Sequence, residues 1–533
     1  MQHHLQQINL MQCSVAVIGA GTMGIGIAQL AAMHGHSTML FDLDATKSLS
    51  GINQLRERLS KRVIAGKMSQ QQLDDILANI RVVTDIQQLA TADLIIEAVV
   101  EKKEIKQSLF QQLAEICSEQ TILASNTSSI SITAIGSVVP CPERVVGLHF
   151  FNPAPVMKLV EIIKGLKTST QVADSLFTLM QAWNKVPVIA KSTPGFIVNR
   201  VARPYYAEAF RALQENVTTP QQLDYIFRES GGFSMGPCEL TDLIGQDVNF
   251  SVTQSVYQEF FDEPRYRPSL IQKELVDAGC YGRKSKQGFY DYSADQRTPI
   301  YTPPTSTAKL KNQNLAQLAV QFCGDWDNLI RLKARLSRVE GLRISDSMAK
   351  KTQQFEENTQ QVLCIDDLSL RLTQGESVLI DHVNAKVMLM DWHDDWDNAE
   401  ALILTASHAC TQTDCDKVTQ LFSACGIRTI WSKDHPGLFI LRTISMLVNE
   451  ACEAVLHNIA TEQDIDAAMK YGVNYPQGPF QWAQQIGYSH ILTSLENLYR
   501  LYSEERYRPS LYLRKKAALA AQMTQQRILQ QAV

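Results

Sequence analysis

The chain has 533 residues, 45% hydrophobic and 20% charged, and its 50 Lys and Arg against 55 Asp and Glu give a net charge of −5. One core does not organise so long a chain, so roughly two to four domains are expected, and the mild acidity argues against non-specific nucleic-acid binding. No apolar run approaches the roughly 20 residues of a membrane span, and the start, MQHHLQQINLMQCS, lacks the charged and apolar sections of a signal peptide. Eleven cysteines without a CxxC pair fit reduced thiols, so a cytoplasmic protein is expected. His408, Cys410 and Cys415 come nearest to a metal cluster; they lack paired short spacings, and no metal is expected.

The first element in chain order is VAVIG, a β-branched run that reads as a buried parallel strand. Gly19, Gly21 and Gly24 follow as GxGxxG, then a helix stopped by Gly35, then a second strand, STMLFD, ending on Asp42. Each part has a physical role. Gly19 permits the turn, Gly21 lets backbone approach a pyrophosphate, and Gly24 lets helix and strand pack closely. The helix N-terminus offers free N–H groups to phosphates, and Asp42 accepts hydrogen bonds from ribose hydroxyls while repelling a 2′-phosphate. Strand, glycines, helix, strand and acid in this order predict NAD rather than NADP.

Further strands, IRVVTDI, ADLIIEAVVE and TILASNTSSI, alternate with helical stretches, which implies a parallel doubly wound sheet. Ligands of such sheets sit at the carboxyl ends of the strands. Asn126 and Ser128 follow one strand and His149 ends another, so all three project toward the cofactor crevice. Simple turn chemistry is the alternative for the Ser/Thr/Asn cluster. His149 and Glu161 lie in an apolar frame, VGLHFFNPAPVMKLVEII, readable either as a buried polar pair or as a catalytic base with its orienting carboxylate.

A helical region begins at KSTPGFIVNRVARPYYAEAFRAL, and part of it recurs from KDHPGLFILRTISMLVNEACEAV. With Pro194 and Gly195 set on Pro436 and Gly437, Arg200 falls on Arg442, Glu208 on Glu450 and Asp224 on Asp466. FSMGPCELTDLIG falls on YPQGPFQWAQQIG, and PRYRPSL meets ERYRPSL after a one-residue slip. Chance does not produce that series, so the unit is duplicated. The same shift reaches upstream to ALILTAS, a strand of a remnant sheet. There Asp391 stands opposite His149, Ile403 opposite Glu161 and Leu441 opposite Asn199. The second copy therefore reads as structural. Residues 298 to about 400 read as polar, with TPIYTPPTSTAK as a linker.

The glycine fingerprint, SNTSS, HFFNP, KLVE and PGFIVNR, in this order, resemble the 3-hydroxyacyl-CoA dehydrogenase family, strongly over residues 12 to 297. The additional unit, with GVNYPQGPFQWAQQIG and ERYRPSL, is similar to the longer bacterial 3-hydroxyadipyl-CoA dehydrogenases of phenylacetate degradation. The resemblance implies a Rossmann-like domain over 1–192 and an all-α, 6-phosphogluconate-dehydrogenase-like substrate and dimerisation domain over 193–297. A linker with a degenerate Rossmann-like remnant then covers 298–432, and the second helical copy 433–533. It also implies catalytic Ser128, His149 with its carboxylate Glu161, and substrate-binding Asn199. Cofactor contacts would be Asp42, Glu101, Lys106 and Asn126 beside the glycines. A CoA-phosphate lysine is placed at Lys61, with Lys67 as rival and a solvated helix face as the plain alternative.

The implied reaction is NAD-dependent oxidation of a (3S)-3-hydroxyacyl-CoA to the 3-oxoacyl-CoA. The favoured substrate is 3-hydroxyadipyl-CoA of phenylacetate catabolism, and the alternative is 3-hydroxybutyryl-CoA of short-chain fatty acid metabolism. A histidine suits the base because an ordinary imidazole titrates near working pH. Arg200, Arg203 and Arg211 are candidate partners for an ω-carboxylate, unless they simply form a salt-bridged helix face. A catalytically silent NAD-binding protein and a dehydrogenase of free hydroxy acids are the competing readings. A homodimer is expected, with a monomer possible because the second copy could replace a partner's domain.

Overall fold

Short apolar runs build the sheet of the first unit: β1 (Val15–Ile18), β2 (Thr38–Phe41), β4 (Leu94–Glu97) and β5 (Ile122–Ser125) are buried at every residue. That is the pattern of parallel strands covered on both faces. The computed structural model describes residues 10–293, 301, 318–324, 329–340, 342–347 and 362–531. The chain divides into one unit of Met1–Arg200 with His457–Val473 and a second of Val201–Leu456 with Asn474–Val533.

With β3 (Ile80–Val83), β6 (Val145–Phe150), β7 (Leu159–Lys164) and β8 (Val186–Lys191), the first sheet has the order β3-β2-β1-β4-β5-β6-β7-β8. The first six strands are parallel, β7 runs antiparallel to β6, and β8 runs parallel to β7. The reversal follows from the link: residues 151–158 are too few for a crossover, which needs about a dozen. Helices Thr22–Met33, Ala45–Ile64 and Thr170–Ala182 contribute Leu30, Leu55 and Leu176 to one apolar core with Ile96, Leu148 and Ile162 of the sheet.

The second unit opens with helices Arg203–Gln214, Pro220–Glu229, Pro237–Ile244, Gln246–Glu259 and Leu270–Asp277. It then forms a sheet of β9 (Ala319–Cys323), β10 (Arg343–Ser347), β11 (Val362–Ile365), β12 (Leu368–Leu372), β13 (Val387–Met390), β14 (Ala401–Ala406) and β15 (Arg428–Trp431), in the order β10-β9-β11-β12-β13-β14-β15. Helices Ile440–Leu456, Pro479–Ile486, Tyr488–Tyr502 and Leu511–Gln531 complete it.

The stretch from 298 to about 400, read as polar with a linker in it, contains five strands among the described residues. They are short, and β12 alternates buried with half-buried residues, a weaker signal than a continuous apolar run. The linker TPIYTPPTSTAK itself lies, apart from Tyr301, outside the described residues. Pairings from β12 to β15 are parallel, antiparallel and parallel, the sequence of directions found from β5 to β8. The remnant therefore keeps the half of a Rossmann-like sheet that carries His149 and Glu161 in the first unit.

Among the described residues, no group of three or more His, Cys, Asp or Glu is placed to hold a metal. No described helix is long and apolar enough to cross a membrane. Cys410 Sγ donates to the Val387 carbonyl and sits beside Ser407 Oγ.

Candidate active site

His149 and Glu161 are directly opposed partners in the antiparallel pair of β6 and β7, so their side chains leave the same face. Nδ1 of His149 lies 2.7 Å from Oε2 of Glu161, with the residues 7% and 1% exposed. A carboxylate can only accept there, so Nδ1 carries the proton and Nε2 presents its lone pair. The other carboxylate oxygen, Oε1, accepts N–H bonds from Ile197 (3.0 Å) and Val198 (3.1 Å), at the start of the turn that carries Asn199. Three donors therefore fix Glu161. Phe151 and Phe196 flank the imidazole, with ring centroids 4.6 and 6.0 Å away. Phe196 reaches that place through a left-handed backbone (φ 49°) after Gly195 (φ 73°), a conformation costly for a non-glycine residue.

The expected site residues join in a circuit of contacts. Asn199 Nδ2 lies 3.4 Å from the Ser128 carbonyl it donates to. Asn126 Oδ1 accepts the N–H of Phe150, the residue after His149, at 2.8 Å. Glu101 Oε1 accepts from Thr127 Oγ1 (2.6 Å), the Ser128 N–H (2.9 Å) and Ser128 Oγ (3.3 Å). Burial opposes ionisation of Glu101, but the Lys106 ammonium and these hydrogen bonds outweigh it and hold the carboxyl below its usual range. Lys106 is 1% exposed, with Nζ 2.5 Å from Glu97 Oε1 and 3.2 Å from Glu101 Oε2. In this structure Lys106 anchors Glu101. Glu97, which the sequence reading did not single out, is the buried partner of Lys106, Glu101 being more exposed, and also accepts from Ser125 Oγ.

The glycine turn fits a dinucleotide. Gly19 has φ 102°, and a Cβ there would lie 2.5 Å from the Ala98 carbonyl oxygen. A Cβ on Gly24 would collide with the Gly19 carbonyl, whereas at Gly21 it would meet nothing within 4 Å. The open side of the turn is therefore at Gly21, where the helix Thr22–Met33 begins without a side-chain cap. First-turn N–H groups left in this way suit a pyrophosphate. Asp42 directly follows β2, its Oδ2 accepting from Ala20 N and its Oδ1 from Asp44 N, which leaves lone pairs for ribose hydroxyls.

Lys61 and Lys67 are exposed at and just beyond the end of the helix Ala45–Ile64, and nothing in the structure separates a phosphate contact from a solvated face there. A cavity of about 380 Å³ lies between that helix and the glycine turn, lined by Gly21, Thr22, Lys47, Gln54 and Arg58 among others. Lys47 and Arg58 carry no recognisable motif, so only the fold brings them there.

Within the second unit, Asp391 aligns with His149 and pairs through its backbone with Ile403. Its carboxylate accepts N–H bonds from Phe439 and Ile440 (2.8 Å each) and Leu441 (2.9 Å). These are the counterparts of Ile197, Val198 and Asn199. The second copy thus lacks the histidine but retains a carboxylate that closes the helix start, moved to the neighbouring strand. Gly437 and Leu438 repeat the left-handed pair of Gly195 and Phe196 (φ 77° and 52°), so that strain belongs to the architecture.

A hydrogen-bonded His–carboxylate pair at the strand ends, beside an uncapped glycine turn with an acid after the second strand, defines a nicotinamide-dependent dehydrogenase built on a Rossmann-like sheet. Models of the 3-hydroxyacyl-CoA dehydrogenase family match the chain along most of its length: the NAD binding domain at residues 14–193 and the C-terminal domain at 195–292 and 437–527. The 3-hydroxybutyryl-CoA dehydrogenase reduced Rossmann-fold domain matches 370–436. The chain belongs to the 3-hydroxyacyl-CoA dehydrogenase family and catalyses NAD-dependent 3-hydroxyacyl-CoA oxidation.

It is 44% identical to the 3-hydroxyadipyl-CoA dehydrogenase of Escherichia coli K12 over 95% of this chain and 98% of the relative. A crystal structure of a 3-hydroxybutyryl-CoA dehydrogenase from Escherichia coli K12 is 42% identical, with a TM-score of 0.83 over 96% of this chain and 99% of that one. The human mitochondrial hydroxyacyl-coenzyme A dehydrogenase is 39% identical over 52% of this chain and 90% of its own.

Proposed function

We propose that the chain oxidises (3S)-3-hydroxyacyl-CoA esters ending in an ω-carboxylate, 3-hydroxyadipyl-CoA first among them. The observation that carries the chemistry is the His149–Glu161 contact, because it leaves Nε2 of a fixed imidazole as the proton acceptor. His149 takes the 3-hydroxyl proton at Nε2, and Glu161 balances the imidazolium that forms. Ser128 and Asn199 hold the 3-oxygen and orient C3, so that the reacting atoms meet without a search. The phenylalanines beside the imidazole keep water from competing for the proton. NAD⁺, when bound at the glycine turn, supplies the hydride acceptor.

The ω-carboxylate specificity draws support from the 44% identity to the 3-hydroxyadipyl-CoA dehydrogenase across nearly the whole chain. Of the three candidate arginines, Arg211 is held by Glu504 and Glu215, and Arg200 faces His457 Nδ1 at 3.5 Å. Arg203 has no carboxylate partner among the described residues. Its Nη1 donates to Thr253 Oγ1, it stacks over Tyr206, and its Nε has no hydrogen-bond partner. Arg203 itself is buried, 5% exposed, and none of the three arginines is assigned to the ω-carboxylate. The second reading, 3-hydroxybutyryl-CoA, is favoured by the name of the E. coli crystal structure. An NADH-formation assay across 3-hydroxyacyl-CoA esters with and without a terminal carboxylate decides: the adipyl ester should give the highest kcat/KM, and a preference for the butyryl ester would reverse the assignment. Cytoplasmic location and a homodimer, with a monomer as the alternative, belong to the same proposal.

A further inference from the structure

Residues 457–473 come from the second helical copy, yet they fold into the first unit. The carbonyl of Ile459 accepts the N–H of Lys191, the last residue of β8, at 2.9 Å. The helix Glu462–Gly472 then packs on β7 and β8, with Ile465, Ala468, Met469 and Gly472 buried. At its end, Gly472 packs closely on the first sheet: a Cβ would stand 2.5 Å from Leu159 Cδ2 and 3.2 Å from Val198 Cγ2, so a side chain there would have to displace both. Both neighbours bear on the proposed chemistry. Leu159 lies two residues before Glu161 on β7, and the Val198 N–H is one of the donors to Glu161 Oε1.

The first helical copy offers a comparison inside the second unit. Its helix Pro220–Glu229 packs on β14, the counterpart of β7, in a sheet where Ile403 replaces Glu161. There the position equivalent to Gly472 is Ser230, fully buried, whose carbonyl accepts the Asp394 N–H. The helical fold thus accepts a side chain at this position. Glycine occurs on the sheet that carries Glu161.

We infer that the helix Glu462–Gly472 is a positioning element for the oxidation step and that Gly472 is a positioning residue. By lying against Leu159 and Val198 it holds Glu161 in register with His149 and holds the start of the turn that carries Asn199. The second copy therefore contributes to turnover through a helix that touches no reacting group. This rests on the proposed roles of His149, Glu161 and Asn199.

The test compares Gly472→Ala and Gly472→Val with Tyr471→Ala, a control at an exposed neighbouring position. Misplacement of a positioned group by even an ångström lowers turnover by up to about a hundredfold. Gly472→Val should therefore lose roughly ten- to a hundredfold in kcat, and Gly472→Ala a smaller amount, with NADH affinity and KM for NAD⁺ unchanged. The pH profile of kcat should also move, because a displaced Glu161 no longer balances the imidazolium, and a purely structural loss would leave the profile in place. Tyr471→Ala should behave as wild type. If Gly472→Val does not fold, Gly472→Ala is read alone: lowered kcat with a moved profile supports the inference, and unchanged kcat and profile overturn it. Normal turnover in His149→Gln would overturn the reading of the site itself. An inactive His149→Gln beside a fully active Gly472→Val would overturn only the positioning role.

Discussion

Asp391 does in the second sheet what Glu161 does in the first: each carboxylate accepts the backbone N–H groups that open the following helix. Glu161 alone also receives a histidine. The two residues stand at different strands, Glu161 on β7 and Asp391 just after β13, so the shared duty is architectural and the additional bond to His149 is the one the proposed chemistry uses. The two duties of Glu161 are therefore separable by substitution.

Glu161→Gln keeps an acceptor for Ile197 and Val198 but removes the negative charge from beside His149. Its kcat should fall by roughly 10²–10⁴, the usual range for a disabled acid–base group, with little change in thermal midpoint. Glu161→Ala leaves buried N–H groups without an acceptor and should cost about 2–4 kcal/mol of stability besides. Steady-state kinetics beside thermal unfolding separates the two; a Gln variant as unstable as the Ala variant would make Glu161 mainly a helix anchor.

Asp391 offers a pH test. Burial pushes its carboxyl up to about 6, against the hydrogen bonds from Ile440, Leu441, Phe439 and Trp392. A carboxyl whose folded pKa exceeds its unfolded value contributes stability that is complete below the unfolded pKa, near 3.8, and is lost as pH rises through 6. Wild type should lose ground to Asp391→Asn over that window, by up to about 3 kcal/mol at 1.36 kcal/mol per unit. Urea unfolding of both proteins at pH 4, 5.5 and 7 measures the difference, and a constant difference would refute it.

Much of the catalytic unit was legible in the chain. Gly19 and Gly24 are imposed by sterics that no other residue satisfies, Gly21 stood out by its place in the GxGxxG spacing, and His149 and Glu161 stood out as polar residues in apolar strands. The antiparallel reversal that sets them face to face is encoded only by the shortness of the link 151–158. Glu97 looked like an ordinary strand residue, because a buried acid is recognisable only once Lys106 is seen beside it. The strands β9 to β13 are short and partly alternating, and their pairing depends on contacts distant in sequence. Docking of Glu462–Gly472 on β7 and β8 leaves no local trace except a glycine at the helix end.

Asp42 should set cofactor choice. Asp42→Asn keeps an acceptor for Ala20 N and removes the charge that repels a 2′-phosphate. The ratio of kcat/KM for NADP⁺ over NAD⁺ should rise about tenfold or more. An unchanged ratio would take Asp42 out of cofactor selection.

The central claim is that His149 accepts the hydroxyl proton, and the direct measurement is NADH formation by His149→Gln with 3-hydroxyadipyl-CoA, beside NADH titration of the same protein. The account predicts wild-type cofactor affinity with turnover lower by roughly 10³-fold or more. Turnover near that of wild type would contradict it.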